Sequence, residues 1–247
     1  LNPDAWIALL TLTFLEIVLG IDNIIFISIA TGKLPAEKRK RATKIGMFLA
    51  MFMRIALLFG INLLIQMKEP WFHIDFSWFS AGVTGQSVIL LLGGLFLIYK
   101  STNEIREKVD ERGEEEKEIK EAATRSFQNV ILQIIMIDIV FSFDSILTAV
   151  GMTNGVEGAL YIMITAVVIS VFIMMQFAVP VGTFVNKHPS IQILGLAFLI
   201  LIGMMLLTES AHLSDALIFG NHVTPLPKGY LYFAITFSLV VEMINMK

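Results

Sequence analysis

What most limits how this chain can fold is the recurrence of apolar runs longer than about 18 residues, long enough for a helix to cross the hydrocarbon core of a bilayer. Apolar residues make up 56% of the sequence and charged residues only 16%; a soluble domain is closer to a quarter charged. Inside lipid each segment must satisfy its own backbone hydrogen bonds, so every run reads as a helix. The fold class is therefore all-α, a polytopic integral membrane protein. Seven spans can be drawn, over about 4–30, 42–66, 84–99, 127–151, 156–184, 191–208 and from 229 to the last residues. The start, LNPDAWIALL, lacks the basic stretch and cleavage site of a signal peptide, and both ends read as trimmed. With no cysteine, disulfides, iron–sulfur clusters and thiolate metal sites are excluded. A formal net charge of −3 argues against a nucleic-acid partner.

Two of these runs carry acids at one spacing. Residues 14–29 read FLEIVLGIDNIIFISI, with Glu16 and Asp22; residues 136–150 read MIDIVFSFDSILTAV, with Asp138 and Asp144. Each second acid is followed by a small polar residue, Asn23 or Ser145. Ionisable groups are costly inside a span and usually mark function.

Orientation follows from the basic residues of the short connections. The connections after the first, third and fifth spans, with the C-terminus, hold every Lys and Arg except Lys68, Lys228 and Arg54. This predicts an external N-terminus and a cytoplasmic C-terminus. The third connection, STNEIREKVDERGEEEKEIKEAATRS, places Glu104–Lys108, Glu116–Lys120 and Glu121–Arg125 at helical i,i+4 spacing, with Gly113 as an interruption. A solvated helical linker is the favoured expectation there, ahead of a regulatory or partner-binding arm.

The third span, LLLGGLFLIYK, aligns with the sixth, QILGLAFLILIG, through Gly93 and Gly195. Spans one to three thus resemble spans four to six. Segments 1–100 and 127–210 read as two three-helix repeats joined by a charged connection at 101–126, with an external connection and seventh helix over 211–247. An odd number of helices inverts the second repeat, the build of many secondary transporters. Glu16 and Asp138 then fall near mid-membrane, with Asp22 about 9 Å toward the cytoplasm and Asp144 about 9 Å outward. Six residues turn a helix by about 600°, which leaves the two acids of a pair about 120° apart around the axis. A break at Gly20-Ile21-Asp22-Asn23 would bring both to one cavity and is the favoured expectation for the first span. For Phe141-Ser142-Phe143-Asp144-Ser145, which offers Ser and Asp caps without Gly or Pro, either form is open.

Carboxylates, an amide, a hydroxyl and freed carbonyls make an all-oxygen site suited to Mg²⁺, Ca²⁺ or Mn²⁺. The metal ligands expected are Glu16, Asp22, Asn23, Asp138, Asp144 and Ser145. Arg54, well inside a span, is a gating residue or a structural counter-charge. His73, His188, His212 and His222 fall in expected connections, which disfavours an intramembrane imidazole site. Met136, Met174, Met175, Met204 and Met205 could offer soft thioethers that prefer Mn²⁺ to Ca²⁺, although packing is the commoner use of Met. Glu209, His212 and Asp215 read as a solvated external cluster, and Glu242 and Asn245 as exposed near the cytoplasmic interface.

At LEIVLGIDNIIFI and IDIVFSFDSILTAVG the sequence resembles the TerC family of bacterial and plastid membrane proteins. The likeness extends through ATGKLPAEKRKRATKIG, LLLGGLFLIYK and FSLVVEMIN, and covers nearly the whole chain. The resemblance implies a seven-span fold, a bacterial inner-membrane location and a role in metal-ion homeostasis, with manganese efflux associated with several members and tellurium resistance behind the name. The family's intramembrane acids fall on Glu16, Asp22, Asp138 and Asp144. The expected activity is export of a divalent cation, most readily Mn²⁺, by alternating access with H⁺ or Na⁺ exchange. The alternative is a membrane scaffold or assembly partner in a metal- or tellurite-stress complex. No enzymatic activity and no resident cofactor are expected: a phosphate-binding Gly-rich loop is absent, and Gly20-Ile21-Asp22 does not match the GxGD pattern of an intramembrane aspartyl protease. The expected partners are membrane lipid and the transported ion; protein partners and oligomeric state are left open.

Because the chain has no native cysteine, single-cysteine probes report orientation cleanly. A membrane-impermeant maleimide should label Ser77→Cys in intact cells and reach Lys38→Cys only after lysis. The opposite pattern would reverse the orientation.

Overall fold

A computed structural model of the chain describes residues 3–110, 127–153 and 155–245, with only the backbone of Asp22 and Asn62. In chain order the elements are α1 (Pro3–Gly32), α2 (Ala36–Phe59), α3 (Ile61–Gln66), β1 (Pro70–Asp75), β2 (Phe79–Thr84), α4 (Gly85–Asp110), α5 (Phe127–Met152), α6 (Ala159–Lys187), α7 (Pro189–Leu213), β3 (Leu217–Ile218), β4 (Asn221–His222) and α8 (Lys228–Asn245). Among the described residues, α1, α2, α4, α5, α6 and α7 are long and apolar enough to cross a membrane. The seventh expected span corresponds to α8, an 18-residue helix. Large apolar side chains such as Phe14, Phe48, Phe52, Leu92, Phe172 and Leu201 are exposed on these helices, as lipid-facing surfaces require.

Most helices run past the apolar stretches that reveal them. α4 continues through Lys100 to Asp110, because the i,i+4 charges of that segment suit a helix as well as apolar residues do. The remainder of the charged connection, with Gly113 and Glu114–Lys120, lies outside the described residues. The second span is shorter than its apolar run: α2 stops at Phe59, Gly60 caps it by donating its N–H to Ala56 O at 3.1 Å, and α3 follows as a separate short helix.

The expected break at Gly20 is absent. α1 is one helix of 30 residues and α5 one of 26. A Cβ at Gly20 would collide with Met174 Sδ, so this glycine serves close approach of α6 to α1 and not unwinding.

The chain forms two compact units. The first comprises Leu1–Gly60 and Lys108–Gln192, with α1, α2, α5 and α6. Here α1 packs along α6, α2 against α5 and α6, and α1 also meets α5. The second comprises Ile61–Glu107 and Ile193–Lys247. In it α4 and α7 cross where a Cβ on Gly94 would lie 2.8 Å from Gly203 O, and one on Gly203 2.9 Å from Gly94 O. Ser210 Oγ donates to Ser87 O at 2.6 Å beside that crossing. Small residues let backbones approach where no hydrophobic force drives helices together.

The second unit also holds a four-stranded antiparallel sheet in the order β1-β2-β3-β4, where connections without regular structure were expected. Its last hairpin turns through Phe219 and Gly220, at φ 50° and 78°, the pattern of a two-residue type I′ turn. The pairing of β2 with β3 brings the link before α4 and the link between α7 and α8 side by side. At the start of α4, Ser87 N–H donates to Thr84 Oγ1 at 3.0 Å and Thr84 N–H to Ser87 Oγ at 3.1 Å, a reciprocal cap.

Candidate functional site

The site lies in the first unit. On α1 the side chains at 12, 16, 23 and 27 are buried, at the i, i+4, i+7 spacing that keeps residues on one helix face. Leu12 and Ile27 are apolar, but Glu16 and Asn23 are not. On α5 the corresponding buried stripe is Ile131, Ile134, Asp138, Ser142, Ser145 and Ala149. α2 contributes Met47, Ala50, Met51, Arg54 and Leu58. Burial of these three stripes brings Glu16, Asp138 and Arg54 together.

Arg54 lies between the two carboxylates. Its Nη1 donates to Glu16 Oε2, and its Nη2 donates to Asp138 Oδ1 at 3.2 Å. All three side chains are at least 95% buried. Asn23 Nδ2 donates to the same Asp138 oxygen at 3.3 Å. Ser142 Oγ donates to Asp138 Oδ2 at 3.1 Å. Both oxygens of Asp138 are therefore occupied by donors on three different helices.

The remaining expected ligands are distributed differently. Ser145 is buried on the same stripe, but its hydroxyl donates to Ser142 O at 3.2 Å and not to an acid. Asp144 is half-buried, two positions beyond Ser142 and off the stripe; its backbone carbonyl accepts from Thr148 Oγ1 at 3.0 Å. The side chain of Asp22 lies outside the described atoms. The continuity of α1 and α5 explains the division. A seven-residue step is nearly two full turns and keeps Asn23 beneath Glu16 and Ser145 beneath Asp138. A six-residue step carries the second acid about 120° away.

Ser142 had been read only as a possible cap. Its signal was the i,i+4 spacing to Asp138, which places it on the acid's own face. The other candidates resolve by position. Met174 is buried against Gly20, and Met205 is buried, whereas Met136 and Met204 are exposed. His73 and His222 lie in strands of the connections between long helices and His188 just past the end of α6, as expected for connections, whereas His212 belongs to the last turn of α7. Glu209 likewise belongs to α7. Among the described residues, no three His, Asp or Glu side chains cluster closely enough to hold a metal ion.

Arginine suits this position because its planar fork can donate in two directions at once and stays charged. A single buried charge in a medium of low dielectric would cost tens of kcal/mol. With one guanidinium and two carboxylates the cluster compensates most of its charge internally and, with all three ionised, retains one negative charge. Its acids come from the two helices that share the repeated motif. Chemically it is a carboxylate pair already holding a cation, supplied by the protein itself.

A polytopic helical membrane protein with a buried, cation-bridged acid pair is the class that this fold and site define. The chain belongs to the integral membrane protein TerC family, whose profile matches residues 1–247. It is 47% identical over 245 residues to the inner membrane protein YgdQ of Escherichia coli K12, covering 99% of this chain and 94% of that protein. It is 45% identical over 246 residues to a UPF0053 protein of Haemophilus influenzae, covering 100% and 95%. A longer E. coli inner membrane protein, YoaE, is 42% identical over 246 residues, which span 99% of this chain but 43% of that one. No solved structure matches.

Removing Arg54 should be the most damaging single change in the cluster. Arg54→Met leaves two buried acids without their donor, a loss of about 3–5 kcal/mol when one partner of a buried ion pair is removed. The triple variant Glu16→Gln/Arg54→Met/Asp138→Asn should recover most of that loss. Thermal unfolding in detergent measures both. Equal melting of Arg54→Met and the native chain would show that the guanidinium is not the counter-charge.

Proposed function

We propose that this protein is a secondary transporter that exports a divalent metal cation, Mn²⁺ by preference, by alternating access through the Glu16–Asp138 carboxylate pair. The observation that carries this is the pair itself: two buried acids, from two helices with the same motif, share one positive charge. Arg54 is then the stand-in that satisfies the acids when no metal is present. A divalent cation would displace it, replacing one positive charge by two and neutralising the pair. Asn23 and Ser142 supply further oxygens after a change of hydrogen-bonding role, so the ligand set stays all-oxygen and hard. Met174, against Gly20 one turn from Glu16, is a soft donor beside the cluster that would favour Mn²⁺ over Ca²⁺. Asp22 and Asp144 serve as stations on the cytoplasmic and external sides of the central pair, and H⁺ or Na⁺ moves in the opposite direction.

The helix packing supports inverted repeats. Exchanging α1 with α5 and α2 with α6 turns the α1–α6 packing into the α5–α2 packing, and both are present in one unit. On this reading α8 is a seventh crossing: 18 residues span about 27 Å, close to the hydrocarbon thickness. The N-terminus is external and the C-terminus cytoplasmic. The names of the YgdQ and YoaE relatives support an inner-membrane location. The chain performs no catalysis.

A second reading, a membrane scaffold in a stress-resistance complex, is favoured by one observation. Arg54 already pairs with both acids, so they need no metal to be stable. The segment around 114–120 would then carry partner contacts.

Flux separates the two. Proteoliposomes loaded with a manganese-sensitive dye should take up Mn²⁺ through the native protein. Glu16→Gln, Asp138→Asn, Asp22→Asn and Asp144→Asn should each lower the rate at least about tenfold, the effect of 1.4 kcal/mol in binding or barrier, measured on the folded fraction isolated by gel filtration. The same vesicles should not carry tellurite, because an oxyanion is repelled by an acidic path. Folded native protein without Mn²⁺ flux would favour the scaffold.

A further inference from the structure

One end of the first unit holds a second polar feature, distinct from the acid cluster. α1 ends at Gly32, α2 begins at Ala36 and α6 ends at Lys187. Between these ends lies a cavity of about 330 Å³, lined by Thr31, Arg39, Lys40, Thr43, Asn186 and Lys187 with a turn of α6 at Ala178, Val179 and Gly182. Three side chains of its lining are basic and none is acidic. The N-terminus of α2, at Pro35, has no side-chain cap, so the positive end of its dipole faces the same region.

The lining also changes character along α6. Lys187 stands nine residues from Ala178, about 14 Å along the axis. Between them the lining runs from the basic Lys187 through Asn186 and Thr183 to the small apolar Gly182, Val179 and Ala178. The polar groups are fixed by the fold: Arg39 Nε donates to Leu34 O at 2.7 Å, Asn186 Nδ2 to Ser28 O at 3.2 Å, and Thr31 and Thr43 hydroxyls lie 3.4 Å apart. The bond through Nε does not use the terminal amino groups of Arg39, a lining residue of the cavity.

We propose that this cavity binds the phosphate of an anionic phospholipid headgroup. The three basic residues of the lining match the phosphodiester. The apolar wall of α6 matches the start of an acyl chain, which a soluble phosphate would not need. The site sits where α1 and α6 end and α2 begins, and the end of a span is where a headgroup would lie. Bound lipid would tie together the ends of α1, α2 and α6, the helices that carry Glu16, Arg54 and the Gly20 notch. The inference does not depend on the proposed transport, since lipid binding and metal flux are read separately.

The test uses purified full-length protein in neutral detergent, with melting temperature measured as phosphatidylglycerol, cardiolipin or phosphatidylcholine is added. The anionic lipids should raise the melting temperature and phosphatidylcholine should not. Arg39→Gln/Lys40→Gln/Lys187→Gln should lose most of that rise. Lys38→Gln/Arg41→Gln/Lys44→Gln, which removes the same charge from residues of α2 outside the cavity, should keep it. Lys40→Gln/Lys187→Gln spares the Arg39–Leu34 bond and should still lose at least half of the rise, which guards against a folding defect in the first variant. Equal loss in the cavity and non-cavity variants would overturn the site in favour of a diffuse basic surface. An equal rise with inorganic phosphate alone, lost in the cavity variants, would overturn the lipid assignment.

Discussion

Everything in the first helical unit is arranged around a charge that cannot be left alone. Arg54 stands in the apolar stretch of α2, five residues before its end, and its guanidinium is buried with Glu16 on one side and Asp138 on the other. Neither acid could stand there ionised without it, and it could not stand there without them. The three side chains come from α1, α2 and α5, so their pairing fixes how these helices rotate about their own axes. The stripes above and below follow from that rotation, with Leu12 and Ile27 on α1, Ile134 and Ala149 on α5, and Met51 and Leu58 on α2, all buried. Asn23 adds a second donor to the Asp138 oxygen that Arg54 holds, and Ser142 satisfies the other one.

Such a cluster has a built-in instability of use. An ion pair of one base and two acids holds together only while nothing with more charge reaches the acids. A divalent cation is the natural competitor, being smaller and doubly charged, and it needs the same two carboxylates. The acids are held as structural groups are, by donors from α1, α2 and α5. In the proposed transport cycle the same arrangement is the form of the site between turnovers.

Much of this was legible in the sequence, and the rest was hidden for definite reasons. The long helices were legible because lipid allows few other solutions for an apolar run. Glu16, Asp138 and Arg54 stood out because charge is rare in such runs. The division of each acid pair was not legible from spacing alone, because it depended on whether Gly20 breaks α1. A glycine permits both an unwound turn and a close helix contact, and only Met174 on α6 decides between them. The end of α2 at Gly60 was hidden inside one apolar run. The four-stranded sheet was hidden because its strands are short and its pairing partners, around Phe79 and Ile218, lie far apart in sequence. Ser142 was visible as a residue but not as a partner of Asp138, since that bond needs the uninterrupted face of α5.

The central claim is that Glu16 and Asp138 hold Arg54 in place of a metal ion. Electron paramagnetic resonance of Mn²⁺ titrated into purified protein tests it most directly, because bound manganese drops out of the free six-line signal. The account predicts saturable retention by the native chain, its loss in Glu16→Gln/Asp138→Asn, and tighter retention in a folded Arg54→Gln variant freed of its internal competitor. Retention by Glu16→Gln/Asp138→Asn equal to that of the native chain would contradict it, as would weaker retention once Arg54 is removed.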